Sequence, residues 1–127
     1  MKYYECKKCG CVVELVRQGN GAPVGCNCAE TMRELKANST EASHEKHIPR
    51  AKQVGNTVTV TVAEEKHPMN EEHYIGWVAI CTDGGTQRKP LYPSDEPTVS
   101  FELSSGEKLR EVYAFCNKHG LWRTNFG

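Results

Sequence analysis

The chain has 127 residues, a length that suits one ordinary domain or a small domain joined to a medium one. Its 16 basic and 16 acidic residues balance, so the charge favours neither a nucleic acid nor a membrane surface as a partner. No apolar run approaches the roughly 18 residues of a membrane span, and the start, MKYYECKKCGC, has no apolar secretory segment. Seven cysteines without such a signal favour reduced thiols in the cytoplasm, where they are available as metal ligands.

The first cysteine cluster places five of the seven cysteines in the first 28 residues. Its segment CKKCG sets two thiolates three residues apart, so that both can bind one ion, and the glycine permits the positive φ that such a turn often needs. A second pair, in CNC, follows the segment GNGAPVG. Four thiolates in two close pairs suit tetrahedral iron or zinc equally well, so the pattern predicts a metal site without choosing the metal. The predicted ligands are Cys6, Cys9, Cys26 and Cys28.

Cys11 is the remaining cysteine of this cluster. It lies two residues from Cys9, which in an extended strand would place both side chains on the same face. It could therefore replace one of the four ligands or be a neighbour whose side chain points away. We interpret it as a neighbour that does not bind the metal.

Cysteine usage also divides the chain into two predicted domains. About 35 residues are too few to bury a self-sufficient core, and units of that size commonly need a metal or disulfides. The polar stretch KANSTEASHE, from Lys36 to Glu45, is typical of a linker. We therefore predict a four-cysteine metal domain in residues 1–36 and a second domain in residues 37–127.

From Val54 onward the sequence pattern is that of β-strands. Thr57 to Val62 (TVTVTV) alternates strictly and places its valines on one face. Tyr74 to Thr82 is almost continuously apolar, as in a central strand that buries Cys81 as a small apolar residue, and the Asp-Gly-Gly that follows predicts a hairpin turn. Such short strands, divided by Gly and Pro turns, predict an antiparallel β-sandwich and an all-β fold. Further predicted strands are Thr98 to Leu103, Leu109 to Phe115 and Leu121 to Phe126.

Four of the five histidines lie in short charged or turn-like segments, namely EKHIP, KHPM, EEHYI and FCNKHG. The last segment also carries a cysteine three residues before its histidine. These five residues are one ligand more than a closed zinc site accepts, and a nitrogen-rich set with one thiolate suits redox-active iron or copper. His44, within the polar linker, is interpreted as solvated. The predicted ligands of this second site are His47, His67, His73, Cys116 and His119.

These ordered segments, preceded by KCGxxVE-like text after the first cysteine pair, closely resemble the superoxide reductases. Over nearly the whole chain the layout is similar to desulfoferrodoxin, the two-iron class, which implies a small desulforedoxin-like domain followed by an immunoglobulin-like β-sandwich. The resemblance implies a catalytic iron with the four histidines in a plane, Cys116 as the axial thiolate and an open position opposite it. It also implies that Glu45 and Lys46 form the acid–base and steering pair.

The function implied by the resemblance is one-electron reduction of superoxide to hydrogen peroxide, with an external electron-transfer protein such as a rubredoxin restoring the ferrous iron. The family also implies a homodimer. Two alternatives remain at this point: a non-catalytic iron electron-transfer protein, and a zinc-stabilised binding module. The five-ligand set disfavours both.

One residue departs from the family pattern. In desulforedoxin-like domains the second cysteine pair is adjacent, whereas here Asn27 separates Cys26 from Cys28. We expect the additional residue to relax the site toward a regular tetrahedral, rubredoxin-like geometry. The departure leaves open whether this site holds iron or zinc and whether it relays electrons.

Overall fold

The computed structural model describes residues 1–21, 25–26, 28, 31–40, 46–63 and 67–126. Across these ranges the secondary structure is ten β-strands, without an α-helix. The chain divides into two compact units, residues 1–36 and 37–127. No helix among the described residues has the length and apolar character that crossing a membrane would need. The strands are β1 (Lys2–Glu5), β2 (Val12–Leu15), β3 (Arg33–Glu34), β4 (Pro49–Val54), β5 (Thr57–Val62), β6 (Ile75–Thr82), β7 (Thr86–Pro90), β8 (Thr98–Glu102), β9 (Leu109–Cys116) and β10 (Gly120–Asn125).

The first unit is a three-stranded antiparallel sheet in the order β2-β1-β3. Between β1 and β2 the chain makes a tight loop in which the Gly10 amide donates to the Cys6 carbonyl at 2.8 Å and the Cys6 amide donates to the Cys11 carbonyl at 2.9 Å. Gly10 has φ +79, the left-handed conformation expected at this turn. The buried apolar side chains described in this unit are few: Tyr3, Cys6 and Met32.

The second unit is a β-sandwich of two antiparallel sheets, one of four strands in the order β10-β9-β6-β7 and one of three in the order β4-β5-β8. Side chains from both sheets form one apolar core. The strict alternation of β5 explains its contribution, because Val58, Val60 and Val62 are fully buried while the intervening threonines remain partly exposed. From the opposite sheet the core receives Ile75, Val78, Ile80, Val112, Ala114 and Cys116.

The predicted fold class is confirmed: the described strands form antiparallel sheets, in a small N-terminal unit followed by a sandwich. Two strands of the sandwich lie outside the sequence prediction, β4 and β7, which occupy edges of their sheets. Both carry charged side chains in place of an apolar pattern, as edge strands commonly do because charge discourages pairing with other chains.

The prediction that Cys81 is buried was wrong, because its side chain is partly exposed. Ile80 occupies the position that faces the core, and strand alternation therefore places Cys81 on the other face of the sheet.

Candidate metal centres

The first candidate centre is a cluster of four thiols in the N-terminal unit. The sulfurs of Cys6, Cys9, Cys26 and Cys28 all lie within 4.8 Å of one another. The Cys6 and Cys26 sulfurs are 3.0 Å apart, and those of Cys9 and Cys26 are 3.8 Å apart. A tetrahedral zinc with bonds of about 2.3 Å places its sulfurs about 3.8 Å apart, so the cluster has the size of a single-ion site.

Neighbouring donors stabilise one thiolate of this cluster. The pKa of Cys6 is lowered to about 7, mainly because the Cys26 thiol donates a hydrogen bond to it, with backbone amides assisting. The same contacts raise the pKa of Cys26, and hydrogen bonding to Cys26 and Cys9 raises that of Cys28 to about 12. The thiols of the cluster that still carry a proton would lose it when a cation binds. Metal affinity is therefore linked to thiol ionisation.

Cys11 does not belong to the group of four sulfurs and is exposed. Its carbonyl, rather than its thiol, contributes to the loop by accepting the Cys6 amide. Its interpretation as a non-ligand agrees with this placement. Asn27 lies outside the described residues, but the backbone amide of Cys28 donates to the Cys26 sulfur at 3.3 Å.

The second candidate centre lies in the sandwich, where loops at one end bring the five predicted ligands together. One ring nitrogen each of His47, His67 and His73 and the Cys116 sulfur lie within 4.8 Å of one another. His119 completes the set, because its Nδ1 is 2.9 Å from Nε2 of His47 and 3.9 Å from the Cys116 sulfur.

Secondary structure explains how the five residues meet. His47 lies two residues before β4, His67 lies in the loop between β5 and β6, and His73 lies two residues before β6. Cys116 is the last residue of β9, and His119 lies in the three-residue turn that joins β9 to β10.

The four imidazole rings form a closed cycle. Centroid distances between successive rings are 4.6 Å for His47 and His67, 4.6 Å for His67 and His73, 5.0 Å for His73 and His119, and 4.7 Å for His119 and His47. Successive rings are close to perpendicular, at 76° to 84°. The rings of His47 and His73, across the cycle, are 6.1 Å apart. One ion can therefore be shared by all four.

The nitrogen chemistry of the site fits a cation. Nδ1 of His67 lies 2.7 Å from the Pro68 carbonyl, which favours a proton on Nδ1 and leaves the Nε2 lone pair available. Nε2 of His67 and Nε2 of His73 are buried without a hydrogen-bond partner, which is costly unless another group satisfies them. Burial lowers the pKa of both residues, that of His67 to about 4, so both imidazoles stay neutral as metal ligation requires.

The thiol of Cys116 is fully buried, and burial raises its pKa. Backbone amides oppose that effect: the His119 amide donates to the Cys116 sulfur at 3.4 Å, and the Lys118 backbone also lowers the pKa. A thiolate with backbone donors in a nitrogen-rich cluster is a chemically suitable ligand for iron.

Two residues that support the site, Asn70 and Trp122, were not predicted from the sequence. The carboxamide oxygen of Asn70 accepts the backbone amides of Glu72 and His73, at 3.1 and 3.0 Å. The indole of Trp122 stacks on the His47 ring at 4.8 Å between centroids, with 25° between planes. Asn70 carries a recognisable signal, because Asn favours local turns of this kind. The stacking of Trp122 has no local signal, because the partners are 75 residues apart.

Two lysines lie near this centre, and both add to the effect of burial in lowering the pKa of His73. Lys46 and Lys118 are exposed and lie directly beside His47 and His119. Glu45, predicted as the acid–base partner of Lys46, lies outside the described residues, as do His44 and Lys66.

Comparison with known proteins decides the family. The desulfoferrodoxin family matches residues 39–125. The chain belongs to the desulfoferrodoxin family. It is 40% identical over 124 residues to a desulfoferrodoxin homolog of Archaeoglobus fulgidus, covering 98% of this chain and 96% of the relative. It is 36% identical over 120 residues to a desulfoferrodoxin of Nitratidesulfovibrio vulgaris, covering 94% and 92%.

Among solved structures, the superoxide reductase from Treponema pallidum superimposes with a TM-score of 0.80 at 32% identity, covering 97% of this chain and 98% of that one. The resemblance drawn from the histidine and cysteine motifs is therefore confirmed at the level of family and fold. Membership of the desulfoferrodoxin family and the likeness to a superoxide reductase structure support the assignment of this chain as an oxidoreductase. The chain carries a centre of four histidines and one cysteine that is compatible with a metal.

Proposed function

We propose that this desulfoferrodoxin is a superoxide reductase that converts superoxide to hydrogen peroxide at the centre formed by His47, His67, His73, Cys116 and His119. The observation that carries the proposal is the convergence of four imidazoles and one thiolate on a volume that fits one ion. This ligand set exceeds what structural zinc uses and suits iron. When bound, iron supplies one electron by passing from the ferrous to the ferric state.

The residues around the centre prepare it for a small anion. Neutral imidazoles and a single thiolate leave a ferrous centre with a net charge of about plus one, which attracts superoxide. Exposed Lys46 and Lys118 add positive charge beside two of the ligands, although the whole chain has no net charge. Glu45 is proposed as the acid–base partner of Lys46 on the strength of the family resemblance.

The balanced reaction is one superoxide, one electron and two protons giving one hydrogen peroxide, with the protons drawn from solvent. Because one electron is consumed and no oxygen is formed, the reaction is a reduction and requires an external donor. We propose a small electron-transfer protein such as a rubredoxin for this role. A reducing compartment such as the cytoplasm suits the protein, because its thiols must stay reduced to bind metal.

The two units have separate proposed roles. We assign residues 37–127 to catalysis and residues 1–36 to a four-cysteine site for iron or zinc, which either relays electrons or stabilises the small unit. A homodimer is proposed from the family resemblance.

Pulse radiolysis or anaerobic stopped-flow mixing of the reduced, iron-loaded protein with superoxide tests the function. We expect rapid oxidation of the ferrous centre, one hydrogen peroxide for each superoxide consumed, and no dioxygen release. Absence of any reaction of the ferrous centre would overturn the assignment. A pure electron carrier would also differ in having a closed centre, so that azide would leave the ferric spectrum unchanged.

A further inference from the structure

We infer that Asn117 is a positioning residue that ties the segment carrying His73 to the turn carrying Cys116 and His119. Asn117 follows Cys116 directly, in the turn between β9 and β10. Hydrogen bonds give Asn117 this role, and its relevance to superoxide reduction rests on the function proposed above.

Both ends of the Asn117 carboxamide are used. Its Oδ1 accepts the backbone amide of Tyr74 at 2.9 Å, and its Nδ2 donates to the Glu72 carbonyl at 2.9 Å. The Asn117 backbone amide also donates to the Tyr74 carbonyl, at 3.1 Å. Glu72 and Tyr74 are the two neighbours of His73, so a single side chain holds the backbone on both sides of this histidine.

These contacts begin where the regular sheet stops. Pairing of β6 with β9 reaches its end at Ile75 opposite Cys116, with an irregularity between Ile75 and Trp77. Asn117 extends the connection past that point, into the loop that bears His73. Without its carboxamide, the hydrogen bonds described between this turn and the loop before Ile75 would be reduced to the backbone bond from Asn117 to Tyr74.

The other support of His73 is local and does not replace this connection. Asn70 accepts the His73 amide at 3.0 Å and thus shapes the loop from within. It does not fix the loop relative to the Cys116 turn, to which Asn117 connects it across more than 40 residues of sequence. The relative placement of the His73 ring and the Cys116 sulfur therefore depends on Asn117.

The chemistry of asparagine suits this task. One carbonyl oxygen and one amide nitrogen on a short planar group supply an acceptor and a donor at once. Aspartate keeps the acceptor for Tyr74 but loses the donor for Glu72. Alanine loses both. Because the side chain is exposed and the strand pairing is independent of it, both variants should retain the sandwich fold.

Asn38 provides a matched control. Its carboxamide also makes two hydrogen bonds, both to the backbone of Arg123. It accepts from the Arg123 amide at 2.8 Å and donates to the Arg123 carbonyl at 3.1 Å. Its φ is +60, so Asn38→Gly removes both bonds and keeps the backbone conformation free of strain. The control thus loses the same type of interaction at Arg123, which is not a candidate ligand and does not adjoin one in sequence.

The test measures three properties that a general loss of stability would not shift selectively. In the metal-free protein, amide hydrogen exchange at Tyr74 should accelerate in Asn117→Ala and remain slow in Asn117→Asp. In the iron-loaded protein, Asn117→Ala should release iron from the histidine centre to a chelator about tenfold faster, as removal of a group that orients a ligand typically does. Its ferric EPR spectrum should also change.

We expect Asn38→Gly to keep the iron release rate and the ferric spectrum of the parent chain. The inference is overturned if Asn117→Ala matches the parent in iron release and spectrum, or if Asn38→Gly shows the same changes. Failure of the parent protein to reduce superoxide would remove the proposed function, while the spectral and exchange differences would still decide the role of Asn117.

Discussion

Lys46 is exposed, directly precedes the buried His47 and adds, as a nearby positive charge, to the effect of burial in lowering the pKa of His73. We propose that its charge steers the incoming anion. A unit charge acting over about 6 Å of water contributes about 0.7 kcal/mol, which corresponds to about a threefold change in rate. We therefore expect Lys46→Ala to lower the second-order rate with superoxide about threefold at low salt. The dependence of that rate on ionic strength should weaken as well.

Lys108→Ala is the control for this prediction, because it removes the same charge far from the centre. β9 begins at Leu109 and ends at Cys116, so eight residues of strand place Lys108 about 27 Å away. That distance exceeds the screening length of about 8 Å at 0.15 M salt. An unchanged salt dependence in Lys46→Ala, measured by pulse radiolysis, would remove Lys46 from the steering role.

Cys9 and Cys11 are close in sequence, and both are exposed, but only Cys9 belongs to the sulfur cluster. We expect Cys9→Ser to lower the metal content of the four-cysteine site markedly, because hard oxygen replaces one of four soft ligands. Cys11→Ser should leave metal content and thiolate absorption unchanged. Metal analysis of the two variants prepared together checks this, and equal losses in both would contradict the ligand assignment.

Whether the role of a single residue could be predicted depended on how far along the sequence its interaction partners lie. All nine candidate ligands were predicted from short motifs. This was possible because the residue type of a ligand, and its position in a turn or at the end of a strand, can be recognised from a few neighbouring residues. The roles of Asn117 and Trp122 were not predicted, because their partners are distant in sequence. Asn117 bonds to the two neighbours of His73, and Trp122 stacks on the His47 ring. Tertiary contacts of this kind leave no local pattern.

At the scale of elements, the β9–β10 hairpin contributes two of the five candidate ligands of the second centre. It carries Cys116 at the end of one strand, His119 in the turn and Gly120 at the start of the next strand. Gly120 has φ +80, and a Cβ there would lie 3.3 Å from Oγ1 of Thr40. This glycine therefore permits both the backbone turn after His119 and the close approach of the segment before the cluster.

Gly120→Ala and Gly106→Ala form a matched pair at this scale. Gly106 has φ +82 in the turn before β9, and a Cβ at that position would meet no heavy atom within 4 Å. Both variants should lose about 1 to 2 kcal/mol in free energy of unfolding, because an L-residue is strained in the left-handed region. Gly120→Ala should in addition release iron faster. Urea unfolding and chelator kinetics measure the two effects, and equal iron release in both variants would argue against a role of this turn in the centre.

The strands differ in how well their sequences predicted them. β5, β6, β8, β9 and β10 carry alternating or apolar runs that bury one face, and each was located within one or two residues of its observed bounds. β4 and β7 contribute charged edges, whose pairing depends on the neighbouring strand rather than on their own composition. The strands of the N-terminal unit are only two to four residues long and have little room for a pattern.

At the scale of the whole molecule, the two units depend on metal to different degrees. The sandwich has an apolar core drawn from two sheets, which is independent of the metal ligands except for Cys116. The N-terminal unit has 36 residues, with Tyr3, Cys6 and Met32 as its described buried apolar side chains. A unit of that size cannot offset its conformational entropy by apolar burial alone.

Removing the metal from the four-cysteine site should therefore unfold the N-terminal unit while the sandwich remains folded, because the binding free energy of a structural metal is also folding free energy. Amide hydrogen exchange followed by NMR should show loss of protection in β1 and retained protection in β6 and β9. Zinc added to the reduced apoprotein should restore protection in β1, and Cys26→Ser should prevent that recovery. Protection of β1 that persists without metal would contradict this dependence and indicate that the thiol cluster serves electron transfer rather than folding.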